Sequence, residues 1–282
     1  MSIFEALILG LVQGLSEFLP ISSSGHLALL EHFFGIEGES VLTFAVLLHV
    51  GTLASVFAVY WKDVLGLIYE LCMVVKDLFT GRGLRANANP TRKLGFLLIV
   101  ATVPTALMGV LMGDLFSSMY QSLTAIGIGF LVTGTILLIA ERSGQNRKGV
   151  KDMKYRSAVF VGVCQGVAIC PGISRSGATL FGSLICGLDR LSAVKFAFLL
   201  SIPSIMGSAA LEAPKAFKEG MGMAMALPVA VGVAVAAIAG FVAIKAMIKV
   251  VSSKKLVGFS IYTWVLGVLV LSYALFFMQK GV

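Results

Sequence analysis

The segment 13-QGLSEFLPISSSGH-26 has a counterpart, 165-QGVAICPGISRSGA-178, which lies 152 residues further along the chain and aligns with it without a gap. The same spacing relates 44-FAVLL-48 to 196-FAFLL-200. Agreement over two separate segments indicates that the chain contains two copies of one unit. The copies differ at three positions of chemical importance, and the pairs are Glu17 and Ile169, Ser23 and Arg175, and His26 and Ala178. Function is expected to depend on these differences.

The composition predicts an all-α polytopic membrane protein. Of the 282 residues, 58% are hydrophobic and only 13% are charged, and an apolar run of about 20 residues is long enough to cross a hydrocarbon core of ~30 Å. Four runs contain no charged residue, and they cover residues 94–113, 122–140, 221–244 and 256–278. Two further runs, 42–61 and 192–211, contain His49 and Lys195. We therefore predict six transmembrane helices.

The net charge of +8 is explained by membrane topology, and no nucleic-acid partner is expected. The basic residues fall in three loops between the spans. These clusters are Lys76, Arg82, Arg85, Arg92 and Lys93; Arg142, Arg147, Lys148, Lys151, Lys154 and Arg156; and Lys245, Lys249, Lys254 and Lys255. The positive-inside rule places all three in the cytoplasm, with the N-terminus and the loops 114–121 and 212–220 outside. Residues 63–79, of mixed polarity, are expected along the cytoplasmic interface or partway into the membrane.

The two repeated segments are expected to be re-entrant hairpins of two short helices, over residues 3–34 and 157–188. Proline, glycine and several serines interrupt each segment at its midpoint, and non-helical backbone at membrane depth persists only inside protein or along a water-filled cavity. Each repeat, 1–141 and 157–280, then holds one hairpin and three spans. Because three is odd, the second copy enters from the opposite face, and the two hairpin tips should meet near the midplane as one site.

The first tip carries the ionisable residues expected of a membrane-embedded site. Gln13 and Glu17 are four residues apart and share a helix face, and an ionisable group within a membrane segment costs about 3 kcal/mol on insertion scales. This cost favours a functional role for Glu17 over that of a polar residue at the interface. His26, beside three serines and a glycine turn, is a further site candidate, although a lone histidine can also be a satisfied core residue.

The second tip carries Arg175, the only charged residue between Arg156 and Asp189. A guanidinium flanked by hydroxyl groups, at the start of a half-helix, is suited to hold phosphate oxygens bidentately. The structural alternative is an ion pair with Glu17. The GxxxG spacings at Gly10/Gly14 and Gly162/Gly166 predict close helix packing and no chemistry.

The Gln-xxx-Glu element followed by PISSSGH, together with PGISRSGAT, resembles the undecaprenyl-diphosphatase family, also called bacitracin-resistance proteins, over essentially the whole chain. The resemblance implies hydrolysis of undecaprenyl diphosphate to the monophosphate and inorganic phosphate, at a site open to the outer face of the bacterial cell membrane. This reaction recycles the lipid carrier of cell-wall synthesis and confers bacitracin resistance. Gln13 occupies the family's first acidic position, which is Glu or Gln. Type 2 phosphatidic-acid phosphatases also use SGH and SR elements, but they need a second histidine, and no histidine follows Arg175 here.

The resemblance also implies roles for the tip residues. Arg175 would clamp the diphosphate, while Glu17 would bind a divalent cation, Mg²⁺ or Ca²⁺, together with Gln13, or act as general base. His26 would be the general acid/base or the nucleophile, and Ser23 is the rival and preferred nucleophile because a helix start would bring it next to His26. The expected substrate-binding residues are Ser22, Ser24, Gly172, Ser174, Ser176 and Thr179.

A different class of function stays open at this point. Inverted repeats with helices broken at the midplane are also the architecture of transporters, so a polyprenyl-phosphate transporter or flippase is the alternative to the enzyme. The expected partners are a polyprenyl diphosphate lipid and the membrane, with a homodimer as a further option.

Overall fold

The computed structural model describes residues 2–35, 39–143, 148–218 and 223–277, with side chains except at 39–43, 211–218, 223–225 and 277. Every regular element in these ranges is a helix, and the protein is an all-α polytopic membrane protein. The predicted external loop 212–220 and the end of the last predicted span fall partly outside the described residues. The α-helices in chain order are α1 (Ile3–Phe18), α2 (Ser23–Phe34), α3 (Glu39–Val59), α4 (Trp61–Phe79), α5 (Pro90–Leu111), α6 (Gly113–Tyr120), α7 (Leu123–Arg142), α8 (Tyr155–Val167), α9 (Arg175–Ile185), α10 (Arg190–Lys218), α11 (Met223–Ser252) and α12 (Val257–Phe277).

Five helices in the described ranges, α5, α7, α10, α11 and α12, are long and apolar enough to cross a membrane by themselves. The sixth predicted span corresponds to α3, whose side chains are described from Phe44 to Val59. This part is long and apolar enough only when it is taken together with α4, and the two helices are bent by 91° at Tyr60. The described ranges therefore contain five single helices that could span the membrane, and six spans if α3 and α4 are counted as one bent span. A right angle after a membrane span is also the geometry expected if α4 lies along the interface, as predicted for residues 63–79.

Both repeated segments are broken helices, as predicted. Helices α1 and α2 have 16 and 12 residues, and α8 and α9 have 13 and 11. At 1.5 Å per residue these lengths are about 17–24 Å, too short to cross a core of ~30 Å. Gly182 of α9 packs beside Val161 and Cys164 of α8, so the second half-helix folds back along the first.

Each hairpin packs against a long helix of the other repeat. Gly10 of α1 contacts the backbone of Gly232 in α11. In the same way, Gly162 of α8 contacts the Ala101 carbonyl in α5. A side chain at either glycine would collide with backbone, which confirms the close packing predicted from the GxxxG spacing.

The directions of the helices are those of an inverted repeat. Helices α7 and α12 hold equivalent places in the two copies, and they run antiparallel: Gly127 packs against Leu271, whereas Gly134, further along α7, packs against Trp264, earlier in α12. Equivalent helices of opposite direction are related by an axis in the membrane plane. The copy boundaries 1–141 and 157–280 stay a prediction.

The three basic loops lie together at one end of the molecule. Lys93 Nζ donates to the Lys151 carbonyl at 2.6 Å, which joins the first loop to the second. The backbone N–H of Leu256 donates to Glu141 Oε2 at 3.1 Å, which joins the third loop to the end of α7. Clustering of these loops on one face is what the positive-inside rule requires.

Two of the charged residues near this face have specific partners. Arg92 is buried and contacts Glu70 and Asp77 of α4, each at 2.7 Å, so it fastens α4 to α5. Lys195, the charge within a predicted span, lies 2.6 Å from Asp63 Oδ1. All three ion pairs hold α4 against the bundle.

The topology can be checked by cysteine labelling in a background from which the four native cysteines have been removed. Ser118→Cys, exposed on α6, should react with a membrane-impermeant thiol reagent applied to intact cells. Lys151→Cys, exposed in a basic loop, is the matched control and should react only with a permeant reagent. The reverse pattern would overturn the orientation.

Candidate active site

The two hairpin tips contact each other directly, as predicted. Ser176 Oγ donates to the Leu19 carbonyl at 3.2 Å, and Gly25 lies against Gly172. Half-helices α2 and α9 both begin here, and their first residues, Ser23 and Arg175, occupy equivalent positions in the two repeats. Two helix N-termini at one place provide unpaired backbone N–H groups and positive potential, which favour an anion.

Glu17 is the centre of the polar contacts at the tips. Its Oε2 accepts hydrogen bonds from Ser23 Oγ at 2.7 Å and from Gln13 Nε2 at 3.1 Å, and its Oε1 lies 3.3 Å from Arg175 Nη2. The residue is only 5% exposed. A buried carboxylate needs hydrogen bonds and an opposite charge to remain ionised, and these neighbours supply both.

His49 belongs to this cluster and was missing from the predicted site residues. Its Nε2 lies 3.5 Å from Glu17 Oε2, while its Nδ1 is 2.7 Å from the Ala45 carbonyl one turn earlier in α3. The sequence held a signal for it, because His49 is the one histidine in an otherwise apolar span and stands opposite Ser201 in the second copy. Only the fold brings it to Glu17.

Gln13 and Glu17 offer oxygen ligands suited to a divalent cation. Gln13 is fully buried, and its Oε1 has no hydrogen-bond partner among the described residues. Gln13 turns its Nε2 toward Glu17 in this structure, so its Oε1 would join the carboxylate as a ligand of Mg²⁺ or Ca²⁺ only with the amide rotated. No group of three or more His, Cys, Asp or Glu residues in the described ranges could hold a metal ion by itself. A cation at this place would therefore take its remaining ligands from substrate and water.

His26 is held away from Ser23, which corrects the contact expected from their spacing. Its Nδ1 is 2.7 Å from the Ser22 carbonyl and its Nε2 is 2.7 Å from the hydroxyl of Tyr262, on which the ring also stacks. The backbone bond to the preceding turn directs the imidazole toward α12, whereas Ser23 turns to Glu17. Tyr262 is 236 residues away and carried no signal in the sequence.

Most of the hydroxyls expected to bind substrate shape the tips in this structure. Ser22 and Ser174 cap α2 and α9 by accepting hydrogen bonds from the N–H groups of Gly25 and Gly177. Each of these serines is at most 2% exposed, and the loss of such a cap typically costs about 1 kcal/mol. Their hydroxyls are already engaged, so a direct role with substrate stays a prediction.

The remaining predicted residues of the second tip are also engaged. Thr179 Oγ1 donates to the Arg175 carbonyl at 2.8 Å, and Ser176 and Ser174 share a contact of 3.1 Å. Gly172 has a φ of +84°, which favours glycine, and its carbonyl accepts from Thr133 Oγ1 at 2.8 Å. These bonds fix the backbone from which Arg175 projects.

The partly exposed groups define what the site can do. Four partly exposed residues line the tips around buried Glu17, and they are Ser23, Ser24, Arg175 and His49. The side chains of Arg175 and His49 are 25% and 23% exposed. A hydroxyl 2.7 Å from a carboxylate has a base in position to take its proton. A guanidinium beside it can bind an anion and stabilise charge on it. The arrangement suits transfer of a phosphoryl group to a serine or to water.

Comparisons with known proteins agree over nearly the whole chain. The family model described as bacitracin resistance protein BacA matches residues 6–269. The undecaprenyl-diphosphatase of Alkaliphilus metalliredigens is 46% identical over 275 residues, which are 98% of this chain and 100% of that protein. The undecaprenyl-diphosphatase of Carboxydothermus hydrogenoformans is 42% identical over 274 residues, 96% of this chain and 97% of that protein. The chain therefore belongs to the bacitracin resistance protein BacA family.

Proposed function

We propose that the protein hydrolyses undecaprenyl diphosphate to undecaprenyl phosphate and inorganic phosphate. The observation that carries the proposal is the contact of Ser23 with Glu17 in a buried cluster that also holds Arg175. The names of the similar proteins support the same reaction. The apolar helices around the cluster suit a substrate with a polyprenyl chain.

Arg175 binds and orients the diphosphate in this proposal. A guanidinium carries five N–H donors in a planar fork, so its contact with Glu17 leaves donors for phosphate oxygens. The N-termini of α2 and α9 add backbone N–H groups toward the same anion. Phosphoryl transfer depends mainly on such positioning and charge stabilisation.

Ser23 is the proposed nucleophile, with Glu17 as its base. The Ser23 oxygen attacks the terminal phosphorus while Glu17 takes the hydroxyl proton, and the phosphoanhydride P–O bond breaks to release undecaprenyl phosphate. Water then cleaves the phosphoserine, which yields inorganic phosphate and restores the hydroxyl group. His26 keeps a supporting role because its two ring nitrogens face Ser22 and Tyr262.

We also propose that a divalent cation takes part. Gln13 and Glu17 would hold it, and the bound cation would neutralise part of the negative charge of the phosphates. The buried Gln13 oxygen, which has no hydrogen-bond partner in the described part of the chain, supports this assignment.

The site is proposed to face the outer side of the membrane. The positive-inside rule puts the N-terminus outside, so the first hairpin enters from the outer face. Hydrolysis there would return the lipid carrier to cell-wall synthesis and would lower the amount of diphosphate available to bacitracin.

A transporter is the second candidate, because the crossed packing of two inverted hairpins is also found in transporters. Movement of a polyprenyl phosphate across vesicles, without phosphate release, would favour it. The polar cluster of Glu17, Ser23 and Arg175 favours the enzyme.

Phosphate release by purified protein in detergent tests the proposed reaction. Wild-type protein should release inorganic phosphate from undecaprenyl diphosphate, and Arg175→Lys should lose nearly all of this activity because a point charge cannot reproduce the planar fork. Activity of the variant within about threefold of wild type would correspond to a change in activation free energy below ~1 kcal/mol. That result would indicate that Arg175 has a structural role. No release by the wild-type protein would contradict the proposed function itself.

Ser23→Ala tests the nucleophile. Loss of one hydrogen bond to a charged group costs roughly 1.5–3 kcal/mol, about ten- to a hundredfold in rate, so removal of the attacking group should cost more than about a hundredfold. Ser24→Ala is the matched comparison: Ser24 is also partly exposed but pairs with Ser22, so loss of its hydroxyl should cost no more than the roughly ten- to a hundredfold of one hydrogen bond. Residual Ser23→Ala activity above about a hundredth of wild type would leave His26 or water as the attacking group.

Glu17→Gln tests the cation and base roles together. The variant should be severely impaired and should no longer respond to added Mg²⁺ or Ca²⁺, because it lacks the negative ligand. Glu31→Gln is the control, since Glu31 is a second buried carboxylate in the same hairpin and contacts Tyr120 instead. If Glu17→Gln kept the cation response of wild type, the metal would have to lie elsewhere.

A further inference from the structure

An apolar groove runs from the first hairpin tip along the start of α12. Its lining residues are Ile21, Val250, Lys255, Gly258, Phe259 and Tyr262. Its volume is about 420 Å³, within the range of roughly 300–1,000 Å³ that is usual for sites of small organic ligands. None of these residues was predicted from the sequence to be part of a site.

The groove begins beside the first hairpin tip. Ile21 immediately precedes Ser22 and Ser23, and Tyr262 is the residue whose hydroxyl contacts His26 at 2.7 Å. Gly258 lies about one helical turn before Tyr262 on the same side of α12. A molecule whose head group is held at the tips could therefore extend directly into the groove.

The chemistry of the lining fits a hydrocarbon chain. Ile21, Val250 and Phe259 are apolar, and the Tyr262 hydroxyl is already engaged by His26. Lys255 stands at the basic end of the molecule, where a lysine can line apolar surface with its methylene stem and keep its ammonium group in water. A polar ligand would find few hydrogen-bonding groups along this path.

We propose that the groove holds the isoprene units next to the diphosphate of the polyprenyl substrate. The proposal rests on the proposed function. It adds the position of the polyprenyl chain, which the proposed function left open. Lipid tails are as apolar as the groove, so transfer from bilayer to groove brings little hydrophobic gain. The groove acts by orientation: a chain fixed there directs the phosphoanhydride toward Ser23 and Arg175.

Gly258 allows a sharp test, because no heavy atom lies within 4 Å of a Cβ added at this position. Gly258→Trp should fill the groove without disturbing the helix packing. Gly207→Trp is the matched control: Gly207 is also exposed on a helix and also has open space at its Cβ, but it lies on α10 outside the groove. Comparable thermal unfolding of both variants in detergent would show that they are folded.

The assay compares undecaprenyl diphosphate with a diphosphate that carries a single isoprene unit. Gly258→Trp should lower kcat/KM for the long substrate by about tenfold and leave that for the short one unchanged, while Gly207→Trp should change neither. An equal change for both substrates, or none, would overturn the groove assignment. Absence of phosphate release from either substrate by the wild-type protein would count against the proposed function instead.

A second measurement does not depend on turnover. Undecaprenyl monophosphate with a photoreactive group on its first isoprene unit should label residues 250–262 of the wild-type protein, and Gly258→Trp should abolish this label. Labelling of a different part of the chain, unchanged in the variant, would refute the proposal even if no hydrolysis were detected.

Discussion

The buried contact between Glu17 and Arg175 is the interaction on which the centre of the molecule depends. The carboxylate comes from the first hairpin and the guanidinium from the second, at 3.3 Å, and Glu17 is 5% exposed. Removal of one partner from a fully buried ion pair typically costs about 3–5 kcal/mol, and the cost is lower here because the Arg175 side chain is 25% exposed. Each hairpin therefore requires the other, and the polar site exists only where the two repeats meet.

The packing of the hairpins extends this mutual dependence into the apolar part of the fold. Helix α1 rests on α11 and α8 rests on α5, with glycines at the crossings because a side chain would collide with backbone. The first half-helix of each hairpin is therefore buried mainly by the other repeat. The two copies form one integral membrane unit, although each retains its own order of helices.

Equivalent half-helices carry different chemistry in the two copies. Ser22 and Ser174 cap equivalent half-helices, but the next residue is the hydroxyl of Ser23 in one and the guanidinium of Arg175 in the other. Gln13 donates to Glu17, whereas its equivalent Gln165, with Ile169 in place of the carboxylate, donates to Thr105 and Ser204 at 3.0 and 2.8 Å. The second copy thus supplies the guanidinium of Arg175, and the first supplies the carboxylate of Glu17 and the hydroxyl of Ser23.

The sequence alone determined the membrane class, the inverted repeat, the broken hairpins and the meeting of their tips, because hydrophobic length and repeat spacing are local or periodic properties of a chain. It also identified Glu17 and Arg175, since a charge within an apolar segment is conspicuous. Only the tertiary structure decided that Ser23 pairs with Glu17 and not with His26, since side-chain direction depends on neighbours from other helices. The contacts of His49 and Tyr262, and the groove beside α12, also join parts of the chain whose proximity no spacing in the sequence encodes.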